Sequence, residues 1–309
     1  MDKIYNCSLC SSKEVICDDN LNSKSHFNDI FKCLSCGHFF TRLNEKNSQE
    51  DLYNDKVYKV IENRGSIFDK IIQYESKKLL RKAKGVLGKE IKSFLDFGCG
   101  KGHLLYAAKK DGCPKTVGVE TAIERANYGK KFYGLKIYTE NYEKGLIGDS
   151  KYDVVSLLHV LEHLDRPKNL LINLIQFNLE DKGCMILEVP NIKSIQSKIA
   201  KSKWLHLDTP KHLHHFSKDT LHKLIKDIGM QVEKIEYFSF HLGVLGMLDS
   251  LLKKLFYKKH IIFELKHNMR ISTVFLLCIF LPLAVFLEIL SSIFKSGGVL
   301  RFYLKKHSY

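Results

Sequence analysis

LDFGCGKGHLL, residues 95–105, joins a short apolar strand (93–97) to a helix (102–110) through a loop holding three glycines. Glycine lets the backbone turn sharply and pass close to a ligand, and a helix N-terminus adds unpaired N–H groups. The spacing is Asp96-x-Gly98-x-Gly100-x-Gly102, which differs from the G-x-G-x-x-G of a dinucleotide fingerprint. An acid two residues ahead of the first glycine suits a cationic ligand better than a pyrophosphate. Glu120 ends the next strand (116–120), close to where a ribose-binding acid is expected. A tight structural turn is the plainer alternative; the acid, the two strands and Glu120 together favour a nucleotide-type ligand.

Outward from the loop, the pattern alternates. A helix over 122–132 and a weaker strand over 135–138 precede YDVVSLL (152–158), a strong buried strand. A helix over 167–179 starts with Pro167 in its first turn, and 184–189 is a strand closed by Pro190-Asn191. A helix (218–228) and a strand (231–240) follow, and 299–304 reads as a last strand. Upstream, a helix-leaning stretch (48–87) repeats Ile67, Ile71, Tyr74, Leu79 and Leu80 at roughly helical spacing. Strands alternating with helices predict an α/β fold with a mostly parallel sheet covered on both faces.

LDFGCGKGHLL (95–105), VGVE (117–120) and YDVVSLLHVLEHLDRP (152–167) resemble the first motifs of class I S-adenosylmethionine (SAM) dependent methyltransferases. PKHLHHFS (210–217), followed by a helix, is similar to a segment of their bacterial small-molecule subgroup, related to ubiquinone-pathway O-methyltransferases. GGVLRFYLKK (297–306) looks like that fold's final antiparallel strand. The resemblance covers about 91–240. It implies a Rossmann-like, seven-stranded sheet with SAM across the strand ends. Asp96, Gly98, Gly100 and Gly102 would surround the methionine part, Glu120 would bind the ribose hydroxyls, and Leu158 and His159 would line the cofactor. Asn141 and Tyr142 are looser candidates for the adenine side. Cys99 stands where the family often has Cys, so it is given no redox role.

A second constellation is rich in histidine. His159-Val-Leu-Glu162-His163 follows the fourth strand of the core, at the rim where open α/β sheets bind ligands. Trp204, His206, His212, His214 and His215 lie in the connection after the next strand. Imidazole, with an ordinary pKa of ~6.5, takes a proton from a hydroxyl acceptor near neutral pH. One reading makes His163, or one of His212, His214 and His215, the general base. Another has His159, Glu162, His163 and a later His bind a divalent metal, resembling the Glu-x-x-Glu-His of metal-dependent small-RNA 2′-O-methyltransferases with His159 in place of the first Glu. In a third, Glu162 and His163 simply cap the loop.

Cys7, Cys10, Cys33 and Cys36 form two Cys-x2-Cys pairs flanked by Phe31, Phe39 and Phe40. Four thiolates complete a closed tetrahedral shell, so the spacing predicts a structural Zn2+ ribbon over 1–45, with Cys17 and His38 as spare ligands. The alternative is a cluster of reduced thiols. The N-terminus is polar, without a secretory pattern, and reduced thiols fit a cytoplasmic compartment.

The formal net charge is +15, which suggests an anionic partner. Ten Lys/Arg face three acids from residue 243 onward, in the most apolar part of the chain. ISTVFLLCIFLPLAVFL (271–287) is an uncharged run broken by Pro282, short of the ~20 residues of a transmembrane helix. The preceding 245–263 reads as a basic amphipathic helix for an anionic bilayer, on the inner membrane face; packing inside the protein or against a homodimer partner is the alternative. The domain reading is therefore 1–45 ribbon, 46–90 helical linker, 91–242 SAM-binding core, 243–296 apolar basic insertion and 297–309 final strand. The expected function is O-methylation of a small molecule such as a sugar or lipid-linked glycan. RNA methylation, motivated by charge and ribbon, and a ribbon module on a degenerate catalytic domain are the alternatives; nucleic acid is the less favoured partner.

Overall fold

The computed structural model describes residues 6–22, 29–42, 65–142, 144–255 and 271–307. Strands β1 (Val15–Cys17), β2 (Asp29–Cys33) and β3 (Phe39–Arg42) open the chain. Helix α1 (Ile67–Leu87) leads to β4 (Ser93–Phe97), α2 (His103–Lys110), β5 (Lys115–Val119), α3 (Ile123–Tyr133) and β6 (Lys136–Tyr138). Next come β7 (Tyr152–Leu158), α4 (Pro167–Phe177), β8 (Leu179–Pro190), α5 (Ile195–Ala200) and β9 (His214–His215). Helix α6 (Lys218–Asp227), β10 (Met230–Glu236), α7 (Leu245–Lys254), α8 (Ile271–Ile293) and β11 (Val299–Lys306) complete it.

The chain forms two compact units, each assembled from three separate segments. The sheet unit comprises Glu45–Val189, Leu221–Ile235 and Arg301–Tyr309; the cysteine unit comprises Met1–Asn44, Pro190–Thr220 and Glu236–Leu300. The linear division differs: it kept 1–45 apart and counted 190–220 with the core. Residues 43–64, which take in the first 19 residues of the proposed linker, lie outside the described residues.

In the sheet unit the strand order is β10-β11-β8-β7-β4-β5-β6. β4 runs parallel to β5 and β7, β5 to β6, and β7 to β8. This is the mostly parallel α/β sheet that the alternation predicts, with the seven strands that the resemblance implies. The Ser66 side chain accepts the Asp69 N–H to start α1, and Gly88 at φ +78° ends it. Its inner face buries Leu79, Leu80, Ala83 and Leu87 against Phe94, Leu105 and Ile137. Full burial of each such leucine stabilises the unit by about 1.5–3 kcal/mol. β8 begins at Leu179, five residues before the apolar run suggested. A register shift between Tyr152 and Val154 lets the polar stretch 180–182 stay exposed inside the strand, so alternation of hydropathy could not reveal it.

In the cysteine unit the order is β1-β2-β3-β9. The last pairing joins two distant segments, Phe39 opposite His215 and Phe40 opposite His214. Trp204 packs with Leu21, Ile30 and Ile192, tying the N-terminal strands to the His-rich connection. Val244, Met247, Leu248, Leu252 and Ala284 form a further core between α7 and α8. Helix α8 does not break at Pro282 but passes through it to Ile293. Pro282 is exposed, so its ring and the hydrogen bond it deletes face outward, while Ala284, Glu288 and Ser291 anchor the buried side.

Candidate active site

The loop between β4 and α2 crosses the C-terminal edge of the sheet. Gly98, Gly100 and Gly102 have φ of +74°, +55° and +80°, a region L side chains rarely adopt. A Cβ at Gly98 would run into Val160 and one at Gly102 into Leu135, whereas one at Gly100 would meet nothing nearer than a Glu120 carboxylate oxygen at 4.0 Å. Packing thus fixes the outer two glycines, and the middle one faces open room.

Glu120 holds the loop from below. Its Oε2 accepts the Gly100 N–H at 2.8 Å and its Oε1 the Ala122 N–H at 2.9 Å. Asp96 is buried, and its Oδ1 accepts the Ser156 hydroxyl at 2.5 Å. Burial, opposed by that hydroxyl and aided by the charge of Glu120, pushes Asp96 up to about 7. A sealed carboxyl of this kind gains from a cationic ligand, so the donor set fits SAM: a positive end at Asp96, and an acid beyond the glycines for hydroxyls. Cys99 lies over Gly118, where a Cβ would come within 2.6 Å of its sulfur. Burial pushes the thiol pKa up, which agrees with a packing role.

After β7, His159 turns the chain off the sheet at φ +55°, its N–H bonded to the Glu188 carbonyl at 2.8 Å. Its Nδ1 lies 3.1 Å from Glu162 Oε1 and its Nε2 3.0 Å from Glu188 Oε1. Burial disfavours the charged ring, but the two carboxylates outweigh it and hold His159 up to about 10. Both nitrogens therefore donate, leaving no lone pair for a metal; His159 drops out of the metal set considered above. Glu188 also accepts from Arg301 Nε, and both side chains are buried. This chain of charges links the ends of β7, β8 and β11. Leu158 packs half-buried against the core. His163 sits half-buried on a single 3-10 turn, Leu161–His163, whose last N–H bonds the Val160 carbonyl. Tyr142 is committed elsewhere: its hydroxyl donates to the Gly145 carbonyl at 2.7 Å and its ring meets Phe97 edge-on. Asn141 is exposed.

Sequence reading missed Ser156, Glu188 and Arg301. The signal was present, since each is a polar side chain inside an otherwise apolar, buried strand, a position that needs a partner.

His212 and His215 belong to the cysteine unit. His212 is buried, and its Nδ1 donates to the His206 carbonyl at 2.9 Å. That bond fixes the tautomer with the lone pair on Nε2, the form a base requires. His215 Nε2 lies 2.8 Å from the Thr41 hydroxyl, and His214 Nδ1 lies 2.9 Å from His38 Nε2. These two rings bind β9 to β3 and to His38 just before it, which gives them a role in holding the sheet. Trp204 is buried too, its Nε1–H donating to Gln196 Oε1 at 3.2 Å.

The four cysteines of the spaced pairs converge. Cys7 and Cys36 sulfurs are 3.6 Å apart, as are those of Cys10 and Cys33. All four lie within 4.8 Å of one another. A tetrahedron of ~2.3 Å zinc–sulfur bonds has edges of about 3.8 Å, so the spacing fits a Zn2+ ion. The two turns mirror each other: Ser11 (φ +60°) returns its N–H to the Cys7 carbonyl and Gly37 (φ +73°) to that of Cys33, both at 2.9 Å. The spare candidates stay outside the cluster. Cys17 is exposed and receives an Asn22 amide bond, and His38 pairs with His214.

Residues 61–235 match a family model described as a methyltransferase domain, more than half of the chain. Curated relatives include the ubiquinone biosynthesis O-methyltransferase of Rickettsia canadensis, 26% identical over 151 residues, 46% of this chain and 64% of that protein. The enzyme of that name from Rickettsia prowazekii is 26% identical over 158 residues, 48% of this chain and 62% of that protein. The chain thus spans somewhat less than two thirds of these relatives' length. A solved plantazolicin methyltransferase, BpumL with a monoazolic analog and SAH, shares the fold at a TM-score of 0.50 and 15% identity, over 84% of this chain and 89% of that one.

Proposed function

The chain belongs to the class I SAM-dependent methyltransferase family, and from that premise we propose that it methylates a hydroxyl oxygen of a small molecule. The observation that carries the donor is the glycine loop, with Asp96 sealed on one side and Glu120 bound beneath Gly100. Bound SAM supplies an electrophilic methyl group on a sulfonium. Asp96 balances that positive charge, Glu120 holds the loop in its ligand-ready shape, and Gly100 lets the backbone approach. The kinship with proteins named as O-methyltransferases supports oxygen as the acceptor atom. A sugar or a lipid-linked glycan intermediate is the narrower acceptor class we propose.

For the acceptor proton we propose His163, which lies in the same unit as the glycine loop; the fixed tautomer of His212 makes it the companion test. Titration calorimetry with SAM, then transfer of labelled methyl to hydroxylated sugars, tests the reading. His163→Gln should lower kcat by about 10²-fold or more if it is the base and leave SAM affinity unchanged. If instead only His212→Asn does so, the base is His212. Failure of the purified protein to bind SAM sinks the reading as a whole.

The four thiolates support a structural Zn2+, with Cys7, Cys10, Cys33 and Cys36 as ligands. None of the nine cysteines is in a disulfide, which supports our proposal of a cytoplasmic location.

A further inference from the structure

Helix α8 presents two unlike faces. On the buried side Ala284, Glu288 and Ser291 are fully covered. Glu288 Oε1 accepts the Gly298 N–H at 2.8 Å and Oε2 accepts from Gln196 Nε2 at 2.8 Å. Gln196 in turn donates to the Gly243 carbonyl and accepts from Trp204. Room for this network is tight, since a Cβ at Gly243 would come within 2.5 Å of Glu288. The other face is a continuous apolar stripe: Ile279, Leu283, Phe286, Leu290 and Ile293 are all exposed, Phe286 by 62% and Ile293 by 68%. Between Leu276 and Ile293 only Ala284, Glu288 and Ser291 are buried. A soluble monomer rarely leaves so long a stripe to water.

Two observations say what covers it. First, the helix is long and apolar enough to cross a bilayer by length and composition, but the Glu288 network holds one side of it against its own unit, so it offers one side only, as an interfacial helix does. Second, the sequence on both sides of α8 is basic. The chain before α8, residues 253–270, carries six Lys/Arg (Lys253, Lys254, Lys258, Lys259, Lys266, Arg270) against Glu264 alone, and Lys295 follows the helix. A second copy of this chain would bring the same excess of cations and no counter-charge. An anionic lipid surface supplies the missing counter-charge.

We propose that α8 lies in the plane of an anionic bilayer surface, its stripe from Ile279 to Ile293 in the acyl boundary, with the flanking cations Lys253, Lys254 and Lys295 providing electrostatic attraction. The proposal does not depend on the acceptor or on methyl transfer. The full chain, mixed with vesicles of phosphatidylcholine containing about a third phosphatidylglycerol, is expected to co-sediment, and to do so less at high salt and on pure phosphatidylcholine. The double variant Phe286→Ser/Ile293→Ser alters exposed residues only, so it should keep its melting temperature and lose binding by about tenfold or more. Lys253→Glu/Lys254→Glu should weaken binding to anionic vesicles specifically. No binding by the wild type overturns the proposal. So does binding that the serine variant retains, or a dimer in light scattering that the serine variant dissolves while vesicles bind neither protein.

Discussion

Asp96 concentrates the chemistry of the loop in a single ionisation. Its carboxyl is pushed up to about 7 by burial, so near neutrality it is partly protonated before a ligand arrives. A sulfonium or ammonium group beside it would favour the charged form and lower that pKa. The sign follows: ligand binding releases a proton, and affinity for SAM should rise with pH from about 5 to about 7, then level off. Calorimetry in buffers of different ionisation heat should register up to one proton released near pH 6.5, and Asp96→Asn should abolish both the release and the pH dependence. An affinity that is flat with pH in the wild type would remove Asp96 from the cation site. The acid and the glycines were legible in the sequence because their spacing is local. Ser156, which donates to Asp96, was legible only as a polar residue in an apolar strand; its partner was not, because the pair forms only once β4 and β7 align Asp96 opposite Ser156. The pairing of Glu188 with Arg301 escaped for the same reason, the two lying more than a hundred residues apart.

At the scale of elements, two features stand on polar groups inside apolar surroundings. In α8, burial pushes Glu288 up to about 7 from an ordinary 4.5, although the Gly298 N–H and Gln196 oppose the shift. An acid whose folded pKa is raised binds more protons folded than unfolded, so its contribution to stability is complete below pH 4.5 and is lost as pH climbs to about 7. The shift corresponds to about 3 kcal/mol. Melting curves from pH 4.5 to 8 should therefore show a smaller loss of stability with rising pH in Glu288→Gln than in the wild type; parallel curves would refute a neutral Glu288. In the N-terminal strands, the four sulfurs approach at tetrahedral spacing around one point. Purified protein should carry one zinc per chain, and a strong chelator should remove it together with the structure of β1 to β3, because binding energy at such sites is folding energy. Loss of zinc without loss of that strand signal would make the cluster an incidental one. The cysteine pairs announced this element by their spacing, while β9 stayed hidden because a two-residue strand, His214–His215, has no periodicity to read.

At the scale of the whole molecule, the chain order and the packing order disagree, and a ribbon drawn as a separate module becomes part of a larger unit. Met1–Asn44 shares its sheet and core with Pro190–Thr220. Leu21 and Ile30 cover Trp204, and Thr41 takes both the Leu213 carbonyl and His215. Removing residues 1–44 would leave Trp204, Ile192 and β9 without those partners, at a cost of several kcal/mol for the large apolar groups uncovered. The sheet unit holds Asp96, the three glycines and Glu120 in its own segments. Truncation should therefore split the two readouts. Trp204 is the only tryptophan in the chain, so its emission reports the cysteine unit alone and is expected to shift to the red. SAM affinity, which reports the loop of the sheet unit, should stay within a few-fold of the full chain. An unshifted emission would restore the ribbon as an independent module. A collapse of SAM binding along with the red shift would mean that the sheet unit needs its companion to fold, and the alternation of strand and helix would then describe only half of what stabilises the loop.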